Sequence, residues 1–261
     1  MPRPPRADEA FGIYHALNRG NLRATVFHKE GDYVAFEKIL GEGLERYQIE
    51  LLCYQLMPNH YHLVLRPLLD GELSRFMKWI GGTHTMRYHA HYHTQGLGHV
   101  YQQRFKSFPI QCDEHFLVVC RYVERNALRA GLVDQAEQWR WGSLWRWLQK
   151  PEPTPKLLSA WPISRLPNWT QRVNEALNDK EMEAVRRCAH RGQPYGNDEW
   201  AESEARRMNL ESTMRHRGRP KKLLIKQNPI KENRGRDGHC WPPPAQIRTC
   251  GTTAYGSSLG K

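Results

Sequence analysis

The sequence predicts an α+β domain, and three observations carry that prediction. Segments with apolar residues at alternate positions interleave with segments whose apolar residues recur at helical spacing. Two of the alternating segments adjoin across Met57-Pro58-Asn59, which reads as the turn of a hairpin. The order along the chain is then strand, helix, strand, strand, helix, strand, helix.

Residues 11–18 have strand character, and Arg19-Gly20-Asn21 after them forms a turn that carries a positive charge toward any phosphate. From Asp32 to Tyr47, Phe36, Ile39, Leu40 and Leu44 recur at helical spacing, with Asp32 placed to cap. Ile49 to Leu56 is a strongly apolar strand, and residues 60–66 return antiparallel to it. Residues 72–93 predict a second helix through Leu73, Phe76, Met77 and Ile80, weakened in its middle by Gly81-Gly82. Residues 98–110 alternate apolar with polar or basic residues as a fourth strand, which places Arg104 and Lys106 together on its polar face. Over 113–130, Phe116, Val119, Cys120, Val123, Ala127 and Ala130 form a helical stripe between an Asp113 cap and a Gly131 stop.

The chain has 261 residues and a formal net charge of +12, a surplus that suits a polyanionic partner such as nucleic acid. Six cysteines without a CxxC pair read as reduced thiols. No run approaches the roughly 18 apolar residues of a membrane helix, and Met1 to Ala10 has no apolar segment of the signal-peptide kind. A cytoplasmic, nucleoid-associated protein without a membrane partner is expected.

Chemistry concentrates at two places. In His60-Tyr61-His62 the period of an extended chain puts both imidazoles on one face while Tyr61, Leu63 and Leu65 anchor the other. Two such imidazoles form half of a divalent-ion site that leaves positions open for a phosphate. About sixty residues on, Tyr122 and Asn126 lie four apart on the flank of the last helix, with Arg129 one turn further. A tyrosine usually packs or hydrogen-bonds, and gains chemical interest only beside a metal and an amide that adds an oxygen ligand. The histidine-rich His89-Ala90-His91-Tyr92-His93 is a rival metal candidate, but on a helix its middle histidine faces away from the other two.

Tyr-Gln-Leu-Met-Pro-Asn-His-Tyr-His over 54–62, Gly-His-Val-Tyr-Gln-Gln-Arg-Phe-Lys-Ser over 98–107 and Arg-Tyr-Val-Glu-Arg-Asn-Ala-Leu-Arg-Ala-Gly-Leu-Val over 121–133 occur in that order, after Tyr-His-Ala-Leu-Asn-Arg-Gly-Asn at 14–21. Together they resemble the REP-associated tyrosine transposases, single-tyrosine members of the HUH nuclease superfamily. The resemblance implies a ferredoxin-like or RRM-like antiparallel sheet with helices packed on one face. It implies a divalent metal, Mg²⁺ or Mn²⁺, held by His60, His62 and Asn126, and a nucleophilic Tyr122. It implies single-stranded or hairpin DNA, of the repetitive extragenic palindrome type, as substrate for a cleaving and rejoining enzyme with a 5′-phosphotyrosine intermediate. Ala127 stands where the family usually has proline after the asparagine. Arg19, Arg104, Lys106 and Arg129 are expected phosphate contacts. The rival expectation is a non-cleaving module that keeps the fold to bind a DNA hairpin or an RNA.

Residues 1–149 are expected to form the nuclease domain and residues 150–168, with five prolines, a linker. Residues 169–226 are expected to be a small, basic, helical appendage with helices over 179–190 and 197–209, which either grips DNA or braces the first domain. Within it Arg217-Gly218-Arg219-Pro220 resembles an AT-hook core, so Arg217 and Arg219 are further DNA-contact candidates. Residues 227–261 lack periodicity and are expected to be a disordered tail. A monomer is expected.

Overall fold

The structure is a computed structural model that describes residues 7–215. In chain order it contains β1 (Ile13–Arg19), α1 (Glu30–Arg46), β2 (Ile49–Met57), β3 (His60–Pro67), α2 (Glu72–Tyr92), β4 (Lys106–Ile110), α3 (Glu114–Glu124) and α4 (Asn126–Arg129). The C-terminal third adds α5 (Ser143–Leu148), α6 (Trp169–Asn174), α7 (Asp179–Arg191), α8 (Asp198–Arg207) and α9 (Glu211–Met214). The four strands form one antiparallel sheet in the order β2-β3-β1-β4. This is the α+β sheet the sequence predicts, and Arg217 and Arg219 lie outside the described residues, as does the expected tail.

Strand alternation decides which side chains meet which helices. Tyr14, Ala16, Tyr54, Leu56, Tyr61, Leu63 and Leu65 belong to one core with Phe36, Ile39 and Leu40 of α1 and Phe76 and Ile80 of α2. The two crossover helices therefore share one face. On the opposite face, Cys53, Val64, Phe108 and Ile110 pack with Phe116, Val119, Cys120 and Val123 of α3. His60 and His62 alternate with Tyr61 and Leu63, so they point toward the α3 side. Tyr61 anchors them from behind, fully buried with its ring 4.9 Å from Phe36 and 5.8 Å from Tyr101.

Two expected elements differ. The fourth strand begins at Lys106, not at residue 98. Val100 and Tyr101 are consecutive yet both sink into the α1/α2 core with Phe105, which an alternating strand cannot do. Only single contacts tie this loop to the end of β1, through Asn21 N–H to Val100 O at 2.8 Å and Gln102 N–H to Arg19 O at 3.0 Å. The last helix is interrupted once, at Arg125, between α3 and α4. Asp113 caps α3 by accepting from His115 N–H, and Gly131 ends the segment with φ +68°, as the sequence suggests.

Residues 150–168 do not separate two bodies. The described residues belong to one compact unit, and the proline-rich stretch runs along the open edge of β2. Ser159 N–H donates to Leu51 O at 2.9 Å, Trp161 Nε1–H to Leu52 O at 2.6 Å and, just upstream, Trp139 Nε1–H to Leu56 O at 2.8 Å. Leu157 is buried in the α1/α2 core. At the other edge Tyr195 exchanges backbone hydrogen bonds with Pro109 and Gln111. The C-terminal third thus satisfies both exposed sheet edges, which explains why it packs as a brace. Buried Glu124 ties it to α3, accepting from Ser143 Oγ and Trp169 Nε1, each at 2.6 Å. Among the described residues no helix is long and apolar enough to cross a membrane.

Candidate active site

The antiparallel register sets the site. Arg19 pairs with His60 and Leu17 with His62, while Leu17 also pairs with Lys106 on the other side of β1. Directly paired residues share a face, so Arg19, His60, His62 and Lys106 project toward α3. There α3 and α4 supply Tyr122 and Asn126, both buried. The Tyr122 ring stands edge-on to His62, centroids 5.9 Å apart, and the Arg129 guanidinium lies 5.1 Å from the Tyr122 ring centre. A cavity of about 210 Å³ opens here, lined by His60, His62, Tyr122 and all four expected cations, Arg19, Arg104, Lys106 and Arg129. The fold therefore brings together predicted residues that lie up to 110 positions apart in sequence, from Arg19 to Arg129.

Hydrogen bonds orient the donors. His60 Nδ1 meets Asn59 Oδ1 at 2.6 Å, which protonates Nδ1 and leaves Nε2 with its lone pair. Asn126 Nδ2 lies 2.9 Å from His62 Nε2, and Arg129 donates to Asn126 Oδ1 at 3.0 Å. Burial drives His60 down to about 3, with Arg19 and Arg129 adding to the shift, and pushes His62 well below the ordinary imidazole range. Both rings are neutral at physiological pH, the state a metal ligand needs. The donor set of two imidazoles and one amide fits a divalent ion with open positions, once the Asn126 amide turns its oxygen from Arg129 to the pocket. Neutral donors leave the ion's whole charge to be balanced by a phosphate. Arg19 Nε is buried without a hydrogen-bond partner among the described residues, a donor suited to the same anion.

The sequence does not single out three residues at or behind the pocket: Arg186 and His190 line it from α7, and His15 lies behind His62 with Nε2 2.8 Å from His62 Nδ1. His15 sits on the same alternating face of β1 as Arg19, and that spacing was the available clue. The rival histidines do not converge: His89 Nδ1 pairs with Thr94 Oγ1 at 2.8 Å and His91 Nε2 with Lys29 Nζ at 2.9 Å. Among the described residues, Asp113, Glu114 and His115 form a group with ligand atoms within 4.8 Å of one another. It lies at the far end of α3 from Tyr122, and Asp113 Oδ1 is already engaged by His115 N and Nδ1, both at 2.8 Å.

Residues 12–126 match the family model described as IS200-like transposase. Over this segment the chain is similar to the IS200-like transposases. The segment runs from the start of β1 to Asn126 and so contains both histidines, Tyr122 and the asparagine. The match supports a DNA-processing function of the transposase type. Two solved structures are similar to the chain. One is a REP-associated tyrosine transposase bound to a REP hairpin, with 18% identity over 64% of this chain and 99% of that one at a TM-score of 0.47. The other is a candidate transposase from Deinococcus radiodurans R1, with 19% identity over 48% of this chain and 96% of that one at a TM-score of 0.35. No curated protein sequence matches the chain.

Proposed function

We propose that the chain is a metal-dependent single-strand DNA endonuclease and strand transferase that acts beside hairpins of the repetitive extragenic palindrome type. The observation that carries this reading is the meeting of Tyr122 with His60 and His62 in one cation-lined pocket, with Asn126 hydrogen-bonded to His62 beside it. Tyr122 is the proposed nucleophile, and His60, His62 and Asn126 the proposed metal ligands. Mg²⁺ or Mn²⁺ bound there supplies Lewis-acid polarisation of the scissile phosphodiester.

Each side chain has a task that its position supports. Arg19, Arg104, Lys106 and Arg129 hold the DNA phosphates and balance their charge in a partly enclosed cavity. The Tyr122 hydroxyl oxygen attacks phosphorus and gives up its proton, the bond to the 3′ oxygen breaks, and that oxygen takes up a proton and leaves as a 3′-hydroxyl. The product is a 5′-phosphotyrosine. Because one phosphodiester is exchanged for another ester, a DNA 3′-hydroxyl reverses the step and joins strands without a nucleotide cofactor. One tyrosine per site holds one covalent strand at a time.

The test is a denaturing gel of labelled single-stranded hairpin DNA incubated with the chain or with Tyr122→Phe, in Mn²⁺, Mg²⁺ or chelator. The expected result is a metal-dependent covalent band that the variant lacks. Tight binding of the same hairpins with no adduct in any metal overturns the enzyme and leaves the non-cleaving hairpin-binding module.

A further inference from the structure

We propose that His15 is a positioning residue for His62, accepting the proton on His62 Nδ1 and so holding the His62 Nε2 lone pair toward the pocket. The inference rests on the reading of His62 as a metal ligand and adds a residue outside the ligand set.

The direction of every hydrogen bond in the chain of contacts can be worked out from its cationic end. Arg129 only donates, so its contact at 3.0 Å makes Asn126 Oδ1 the acceptor. That assigns the other end of the amide, 2.9 Å from His62 Nε2, as an N–H donor. His62 Nε2 must then be the lone-pair nitrogen, and in a neutral imidazole the proton sits on Nδ1. Nδ1 lies 2.8 Å from His15 Nε2, which is left to accept. His15 in turn carries its proton on Nδ1, and that atom is buried with no hydrogen-bond partner among the described residues. An unsatisfied N–H in the core is unfavourable and unusual, and the polarity of this chain accounts for it.

Packing keeps the pair in place. His15 is diagonal to His62 across β1 and β3, since it pairs with Val64 while Leu17 pairs with His62. Its ring stacks on His62 at 5.0 Å and 27°, and Phe108 of β4 closes its other side at 4.9 Å. Full burial excludes water, so no solvent molecule substitutes for His15 as acceptor. When Asn126 turns its oxygen toward the pocket, His62 keeps the correct tautomer because its other nitrogen remains held from behind.

Two measurements on the full chain test this. Long-range ¹H–¹⁵N correlation spectra of the histidine-labelled, metal-free protein report the protonated nitrogen of His62 directly. Nδ1 protonation is expected, and protonation at Nε2 overturns the proposal even if no variant folds. Calorimetric titration with Mn²⁺ is then compared for the native chain, His15→Phe and His15→Gln. His15→Phe is expected to weaken binding about 10- to 100-fold, and His15→Gln, whose amide oxygen accepts, to return it to within a few fold. Native-like Mn²⁺ affinity in a folded His15→Phe protein also overturns it. Absence of Mn²⁺ binding by the native chain with His62 protonated at Nδ1 sinks the ligand reading and leaves the positioning contact standing.

Discussion

Acid should destabilise this fold well above the pH at which carboxylates titrate. Burial drives His15 and His60 down to about 3 and His84 to about 4 in the folded chain. Unfolded, each titrates near about 6.5, so the unfolded state takes up protons first as pH falls. Stability is therefore complete above 6.5 and is lost progressively as pH drops toward those depressed values. At pH 5.5 each ring costs about 1.4 kcal/mol, or about 4 kcal/mol for the three. His62 adds in the same direction, and buried Glu124, whose carboxyl is pushed up by desolvation, opposes it. With a urea slope of about 2–3 kcal/mol/M, the midpoint of the chelator-treated protein should fall by roughly 1.3–2 M between pH 7.5 and 5.5. His84→Gln keeps a partner for the Tyr101 hydroxyl, which lies 2.6 Å from His84 Nδ1, and removes one titrating ring. Its pH slope should be smaller by about a third. A midpoint that holds constant over this range, or a slope unchanged in His84→Gln, would refute the burial argument.

Three other perturbations follow. Arg146 is buried and holds Glu37 at 3.0 Å, the Tyr54 hydroxyl at 2.9 Å and the carbonyls of Pro153 and Pro155 at 2.8 Å. Arg146→Ala strands those groups and should cost about 3–5 kcal/mol, a loss of roughly 6–20 °C in Tm; a loss below 1 °C would contradict the strap's role. Arg129→Ala should weaken hairpin DNA binding and lower the slope of log affinity against log salt by roughly 0.7–0.9, measured by fluorescence anisotropy; an unchanged slope removes Arg129 from the phosphate contacts. Gly81 lies inside α2 with nothing within 4 Å of an added Cβ, so Gly81→Ala should stabilise by about 0.5–1 kcal/mol in urea melts. A destabilised variant there would show that the helix needs the glycine.

Local patterns carry most of the candidate site. Strand or helix period places His60, His62, Tyr122, Asn126 and Lys106, because the direction of a side chain depends mainly on its neighbours in sequence, and the turn after the first strand places Arg19. Arg104 was reached by the wrong route. It was assigned to a strand, yet it comes to the cavity from the loop before β4. Residues 150–168 were misread because five prolines look the same in a free linker and in a strap that has docked on a sheet edge. Trp161 and Leu157 mark the docking, but their partners lie in β2 and in the α1/α2 core.

The sequence by itself determined the strands and helices, their faces and the two halves of the site, since the periods of two and 3.6 are local properties. Tertiary structure alone decided that β1 lies between β3 and β4, and hence that His15 reaches His62 and that Arg19 and Lys106 join His60 and His62. It also decided that α7 brings Arg186 and His190 to the same pocket. Such contacts depend on strand register and on which edge each later segment covers. Those choices are made by total burial and by pairing of backbone groups across the whole molecule, and no window of neighbouring residues contains them.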